Sequence, residues 1–314
     1  VVHAAPMPAL VEFVAAAARH GVRVALSSWY REDRTNARMA IRTPEDLGAA
    51  WVATLRHLDD AGLLDQVLYV DLCNEFPMAP SAPWLYGDHV LRALVRRQPP
   101  AADLDALVGP QLSRTSSEAV GWMARSIALV RAAYPDLDYT FSFCDELVTW
   151  RDQDVSMLDV LEPHIWMSSN ELSDFDERVG YGYQGFDPAG YDALVAHART
   201  VYEGDRERYD DALFRTIDAA ADWSRASGRA LYTTECWAVT DWKDWPGLDW
   251  DWILDVNERA VERVVTTGRW VGIATSNHCG PQFAGTWREV AWHQRLTGLI
   301  RSAPVDAELR ERTG

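Results

Sequence analysis

The chain has 314 residues, of which 48% are hydrophobic and 25% are charged. These values are typical of a globular protein, and the length allows one large α/β barrel or two ordinary domains. Forty-seven acidic and 30 basic residues give a formal net charge of −17. Such a charge repels phosphate backbones and anionic lipids, which argues against nucleic-acid and membrane partners. No apolar run approaches the ~20 residues needed to span a bilayer.

Helices and strands are predicted to alternate along the chain. A helix over residues 8–20 precedes a strand over residues 22–28. The next helix begins at Thr43, a capping residue followed by proline and two acidic residues, and it precedes a strand that ends at Glu75. The later predicted elements are a helix over 116–134, strands over 139–144 and 160–167, a helical region over 187–227, a strand over 230–235, a helix over 252–267, a strand over 271–276 and a helix over 286–302.

This alternation predicts a parallel sheet, whose strands all end on the same face. A closed barrel of this kind has eight strand–helix units, whereas this sequence shows six. We therefore expect an α/β fold, a (β/α)8 TIM barrel that lacks its first two strand–helix units, in a single domain over residues 1–314. No secretion signal is visible, which slightly favours the cytoplasm, although a missing N-terminal segment would hide one.

Two of the predicted strands end in a glutamate, at Glu75 and Glu235. Two carboxyl groups on one barrel face are what cleavage of a sugar bond requires, one as proton donor and one as nucleophile or base. A glutamate at a buried strand end is costly unless it is hydrogen-bonded or functional. The alternative is a structural glutamate paired with an arginine, and the presence of two such strand ends favours the functional interpretation.

The segments after the strands are long and rich in aromatic residues, whereas those before them are short. Elaboration of one face alone is typical of the active-site face of a barrel enzyme. Several of the 15 tryptophans lie in these segments, where a flat amphipathic ring suits stacking on a sugar. Trp237, which follows Glu235 closely, is the first candidate for stacking, and Trp29 is the second.

The four cysteines are Cys73, Cys144, Cys236 and Cys279. They show neither a CxxC spacing nor the framework of a disulfide-rich secreted domain, so we interpret them as reduced core residues. All four fall near predicted strand ends, so a metal cluster bound by these cysteines remains an alternative.

The Asn74-Glu75 strand end and the later Glu235 strand resemble the cellulase-like (β/α)8 glycoside hydrolases of clan A, such as glycoside hydrolase family 5. In that group an Asn-Glu strand end carries the acid/base, and a strand three positions further round carries the nucleophile. The resemblance spans nearly the whole chain. It implies that Glu75 is the acid/base, that Asn74 binds the sugar 2-hydroxyl, that Glu235 is the nucleophile and that His164 orients this network.

Several positions differ from the family pattern. Phe76 stands where proline is usual, and Trp166 stands two residues after His164, where tyrosine is common. The last strand ends with Asn277 and His278 in place of the usual tryptophan, and these two residues either hold sugar hydroxyls or are structural. The differences bear on which sugar is bound, and we count Trp166, Asn277 and His278 as candidate substrate-binding residues.

The sequence therefore predicts a retaining glycoside hydrolase that cleaves a β-linked oligo- or polysaccharide without a cofactor. The expected separation of the two carboxyl groups is ~5–5.5 Å. One alternative is a metal-dependent sugar-converting barrel, and the other is a barrel that binds sugar without cleaving it. Candidate metal ligands for the first alternative are Glu75, Glu235, His164, His278 and Asp145. The sequence does not predict the oligomeric state.

Overall fold

The computed structural model describes residues 6–30, 37–87, 89–90, 108–168, 171–181, 188–239, 244–277 and 288–309. The chain divides into two compact units. The first comprises Val1–Phe143 and Asp152–Val160, and the second comprises Cys144–Arg151 and Leu161–Gly314. The single domain over residues 1–314 stays a prediction.

The first unit is built on a parallel sheet with the strand order β1-β2-β3. Ser27 lies opposite Asp71 in the β1–β2 register, and Asp71 lies opposite Thr140 in the β2–β3 register. Its elements are α1 (Pro6–Arg19), β1 (Val24–Ser27), α2 (Pro44–Asp60), β2 (Val67–Asp71), α3 (Ser117–Ala133) and β3 (Tyr139–Thr140). Helix α2 packs on α3, where a Cβ on Gly48 would lie 2.9 Å from the Cβ of Leu129. Glycine is therefore required for this close approach.

Helix α2 begins where the sequence predicts. The Thr43 hydroxyl accepts a hydrogen bond from the Asp46 backbone N–H at 3.2 Å, and the Asp46 carboxylate accepts one from the Thr43 N–H at 2.9 Å. These reciprocal bonds form a capping box, which satisfies two backbone donors that the helix itself leaves without partners. The predicted helix start is confirmed.

From residue 160 onward the described chain continues the alternation of strands and helices. Its sheets have the strand orders β4-β6-β8 and β5-β7, and the β6–β8 and β5–β7 pairs are parallel. The elements are β4 (Val160–Leu161), β5 (Ile165–Trp166), α4 (Phe175–Val179), α5 (Pro188–Gly204), α6 (Arg206–Ser227), β6 (Ala230–Thr233), β7 (Cys236–Trp237), α7 (Asp251–Val265), β8 (Trp270–Ile273) and α8 (Val290–Ser302).

Two predicted elements are interrupted in the structure. The strand predicted over residues 160–167 is present as β4 and β5, separated by Glu162–His164. Pro163 lies in this gap and cannot donate a backbone hydrogen bond to a sheet, which explains the break. The helical region predicted over residues 187–227 is present as α5 and α6, with Asp205 between them. The weak helix former Gly204 ends α5.

The alternation of helices and parallel strands confirms the α/β class. Hydrogen bonds among the described residues define three separate sheets. Closure into an eight-stranded barrel, and the lack of its first two units, therefore stay predictions. Among the helices of the described ranges, none combines the length and the apolar character needed to cross a lipid bilayer.

Candidate active-site residues

Glu75 lies four residues beyond the end of β2, in an unusual backbone conformation. Its φ angle is +49°, in the left-handed region that residues other than glycine rarely adopt. Its backbone N–H donates to the Ser142 hydroxyl at 2.9 Å, and the N–H of Phe76 donates to the Ser142 carbonyl at 3.0 Å. A strained conformation persists only where its surroundings hold it, and such strain is concentrated at functional sites.

Asp71, the last residue of β2, is buried and links the ends of three neighbouring strands. Its Oδ2 accepts hydrogen bonds from the hydroxyls of Ser27 at 2.6 Å and Ser142 at 2.7 Å, and its Oδ1 accepts the Ser142 N–H at 2.9 Å. Because the Ser142 hydroxyl donates its proton to Asp71, its oxygen is oriented to accept the N–H of Glu75. Neither Asp71 nor Ser142 was predicted from the sequence as a site residue. The signal that could have identified Asp71 is its position as the one acidic residue in the apolar run over residues 67–72.

The neighbours of Glu75 differ in exposure. Asn74 is buried, and its N–H donates to the Ser28 carbonyl at 3.1 Å. Phe76 packs on Phe141 with the ring centroids 4.8 Å apart. Trp29 keeps 39% of its surface exposed. Binding of the 2-hydroxyl by Asn74 and sugar stacking by Trp29 stay predictions.

The cysteines of the described ranges do not form disulfides. Cys73, Cys144 and Cys236 are free thiols, and Cys279 lies outside the described residues. Burial raises the pKa of the Cys73 thiol well above its ordinary value, with smaller contributions from the carboxylates of Asp71 and Glu75. This thiol is therefore protonated at neutral pH and is not a nucleophile.

Glu235 and His164 are brought together within the second unit. Glu235 lies between β6 and β7, and His164 directly precedes β5. In the β5–β7 register Ile165 lies opposite Cys236, so the residues before them are neighbours. The Nδ1 atom of His164 lies 4.0 Å from Oε2 of Glu235. The histidine side chain is 1% exposed and the glutamate side chain 16%, so Glu235 keeps contact with solvent.

A second buried acid, Glu162, lies on the other side of the imidazole. Its Oε1 is 4.0 Å from Nε2 of His164 and accepts a hydrogen bond from the Thr234 hydroxyl at 2.6 Å. The His164 ring therefore lies between two carboxyl groups, those of Glu162 and Glu235. Glu162 was not predicted from the sequence as a site residue, because its position before Pro163 gives no sign that it faces His164.

Trp166 and Trp237 lie opposite each other in the β5–β7 register, and both are buried. The indole N–H of Trp237 donates to the Ala274 carbonyl at 3.1 Å, and its ring meets Trp270 edge to face. These contacts give the Trp237 ring a packing role beside Glu235. A sugar-binding role for either tryptophan stays a prediction.

The last two candidates follow β8. Asn277 is partly buried, four residues beyond the end of that strand. His278 lies outside the described residues. Binding of sugar hydroxyls by these side chains stays a prediction.

Comparison with known proteins identifies the family. The family model described as sugar-binding cellulase-like matches residues 2–301. The chain belongs to this cellulase-like family. The resemblance to cellulase-like glycoside hydrolases inferred from the Asn74-Glu75 and Glu235 strand ends is thus confirmed.

Solved structures agree with this assignment. The chain is 39% identical to a "putative glycoside hydrolase" from Parabacteroides distasonis, with a TM-score of 0.85 over 96% of this chain and 75% of that one. The chain is 16% identical to β-glycosidase BGL167, with a TM-score of 0.53 over 97% of this chain and 79% of that one. This second similarity concerns the fold alone. A comparison with curated protein sequences gave no match. At the level of the family, this cellulase-like chain is related to glycoside hydrolases.

Proposed function

We propose that this protein is a retaining glycoside hydrolase that cleaves a β-linked oligo- or polysaccharide, with Glu235 as nucleophile and Glu75 as acid/base. Glu235 attacks the anomeric carbon while Glu75 donates its proton to the departing glycosidic oxygen. The product of this step is a glycosyl ester on Glu235. Glu75 then removes a proton from water, and the resulting hydroxide displaces Glu235 from the anomeric carbon. Two inversions at this carbon give net retention.

The position of Glu235 carries the proposal. Its side chain keeps 16% of its surface exposed, which a nucleophile needs, while the adjacent His164 ring, 4.0 Å away, is buried. Family membership supports the reaction class, and the restrained backbone of Glu75 supports its assignment as the acid/base.

The first experiment measures hydrolysis and its stereochemistry with the full-length protein. We expect turnover of at least one member of a panel of nitrophenyl β-glycosides, and this turnover should survive EDTA, unlike that of the metal-dependent alternative. Proton NMR of the first-formed sugar should show the β anomer. An initial α anomer would contradict the double-displacement mechanism, because a single displacement inverts the anomeric centre.

The second experiment separates the roles of the two glutamates. Glu235→Ala should lower kcat on the order of 10⁴-fold or more, because no covalent intermediate can form. Azide added to this variant should give an α-glycosyl azide, whereas azide added to Glu75→Ala should give the β-glycosyl azide. Glu207→Gln, on the exposed side of α6, is the matched control and should keep normal activity. Near-normal turnover by Glu235→Ala would refute the nucleophile assignment.

A second candidate function is sugar binding without cleavage, which the description of the family as sugar-binding supports. Calorimetry with oligosaccharides, run beside the hydrolysis assay, distinguishes the two functions. Saturable heat of binding without product formation by the full-length protein would favour the binding function over the hydrolase.

A further inference from the structure

Glu162 is a buried acid for which the proposed mechanism has no role. Its side chain is 2% exposed, so the acid is almost completely removed from solvent. Burying a carboxylate is costly unless hydrogen bonds or an opposite charge compensate for the lost water. The hydroxyl of Thr234 supplies one such hydrogen bond. The imidazole of His164, 4.0 Å away, is a neighbouring group that is able to supply a positive charge.

Three links connect Glu162 and the residues that follow it to the strand end that carries Glu235. Thr234, the residue before Glu235, donates to the Glu162 carboxylate at 2.6 Å. The hydroxyl of Thr233 lies 2.8 Å from the Pro163 carbonyl and 3.2 Å from the Glu235 carbonyl. The β5–β7 register then holds the residues that follow on each side. The segment 162–164 and the strand end at Glu235 therefore behave as one restrained assembly.

We propose that Glu162 is a positioning residue that orients the His164 imidazole and, through it, the carboxylate of Glu235. Nε2 of the ring faces Glu162 and Nδ1 faces Glu235. A 180° ring flip would replace each of these nitrogens by a carbon atom. A carboxylate at this position disfavours the flip because it favours a ring N–H over the C–H that the flipped ring would present to it. At 4.0 Å the two groups interact through charge or through one shared water molecule.

This arrangement has a consequence for the reaction of Glu235. The group that a histidine nitrogen faces determines which tautomer and orientation the ring adopts, and partners of this kind affect activity strongly. With Nε2 directed to Glu162, Nδ1 is held towards the carboxylate that attacks the sugar. The link from His164 to catalysis rests on the proposed function, whereas the link from Glu162 to His164 does not.

The first test reads the imidazole directly and needs no activity. Nitrogen NMR of the histidine-labelled full-length protein should show the His164 ring signals shifted in both Glu162→Gln and Glu235→Gln, because each variant removes one of the two charges that flank the ring. Thr234→Val, which removes only the hydroxyl that holds Glu162, should shift them less. The buried control Thr216→Val, whose hydroxyl bonds to Ala212 inside α6, should leave them unchanged. Unchanged His164 signals in Glu162→Gln would overturn the proposal.

The second test measures kinetics. Glu162→Gln should lower kcat by about 10–100-fold, a typical effect of losing a group that orients a functional histidine. KM should stay within about twofold of its normal value, because Glu162 is not proposed to touch the sugar. A rise in KM with unchanged kcat would overturn the positioning role, as would an unchanged kcat beside shifted His164 signals. If the unaltered protein hydrolyses no glycoside, the proposed function fails, while the NMR test still decides whether Glu162 orients His164.

Discussion

Replacing Ser142 by alanine tests how the strained conformation of Glu75 is maintained. The serine hydroxyl accepts the Glu75 N–H at 2.9 Å and donates to the Asp71 carboxylate at 2.7 Å. Alanine removes both bonds and leaves the remaining structure in place. The Glu75 N–H then lacks its acceptor, and Asp71 keeps its bonds from Ser27 and from the backbone N–H of residue 142.

The expected loss follows from these bonds. A buried donor left without a partner costs about 1–3 kcal/mol, and a hydrogen bond to a charged group contributes about 1.5–3 kcal/mol. Glu75 N lies in a partly buried position and Asp71 keeps two partners, so values near the lower ends apply. We expect Ser142→Ala to lower the free energy of unfolding by about 2.5–3.5 kcal/mol. Its kcat should fall by about tenfold or more, because small displacements of a reacting group are costly.

Urea denaturation of the purified variant measures the first quantity, and the glycoside assay measures the second. Ser126→Ala is the matched control, since Ser126 is buried in α3 and its hydroxyl has no hydrogen-bond partner among the described residues. This control should be neutral or slightly stabilising, because it removes a buried polar group that makes no bond. A loss below about 0.5 kcal/mol for Ser142→Ala, no different from its control, would refute the reasoning.

Two further variants test other parts of the chain. Thr43→Ala removes the α2 cap and should lower the free energy of unfolding, measured by urea denaturation, by about 1 kcal/mol. The control Thr54→Ala, on the exposed face of the same helix, should not lower it. Equal losses in the two variants would contradict the capping role. Burial raises the pKa of Asp176 to about 8 from its ordinary value of 3.8, so its contribution to stability is complete below pH 4 and is lost as the pH rises towards 8. The stability of Asp176→Asn relative to the unaltered protein should therefore increase across this pH range, by up to about 1.4 kcal/mol per pH unit. A stability difference that stays constant in denaturation experiments at several pH values would exclude the raised pKa.

Much of the fold could be predicted because its signals are local. Each of the six predicted strands overlaps an observed strand, and α2 begins directly after the residue whose side chain caps it. Apolar runs, capping residues and glycine act over a few residues, so the sequence displays them directly. The irregularity at Pro163 also has a local signal, because proline cannot donate to a sheet. The break at Asp205 was harder to locate, since the helical pattern continues on both sides of it.

The sequence by itself determined the class of fold, the family and the two strand ends that carry Glu75 and Glu235. Only the tertiary structure shows which distant residues form hydrogen bonds with these two segments. The bond from Glu75 to Ser142 joins residues 67 positions apart, and the bond from Thr234 to Glu162 joins residues 72 positions apart. Such partners depend on strand register, which many distant side chains set together by packing, so no pattern within a single segment reveals them.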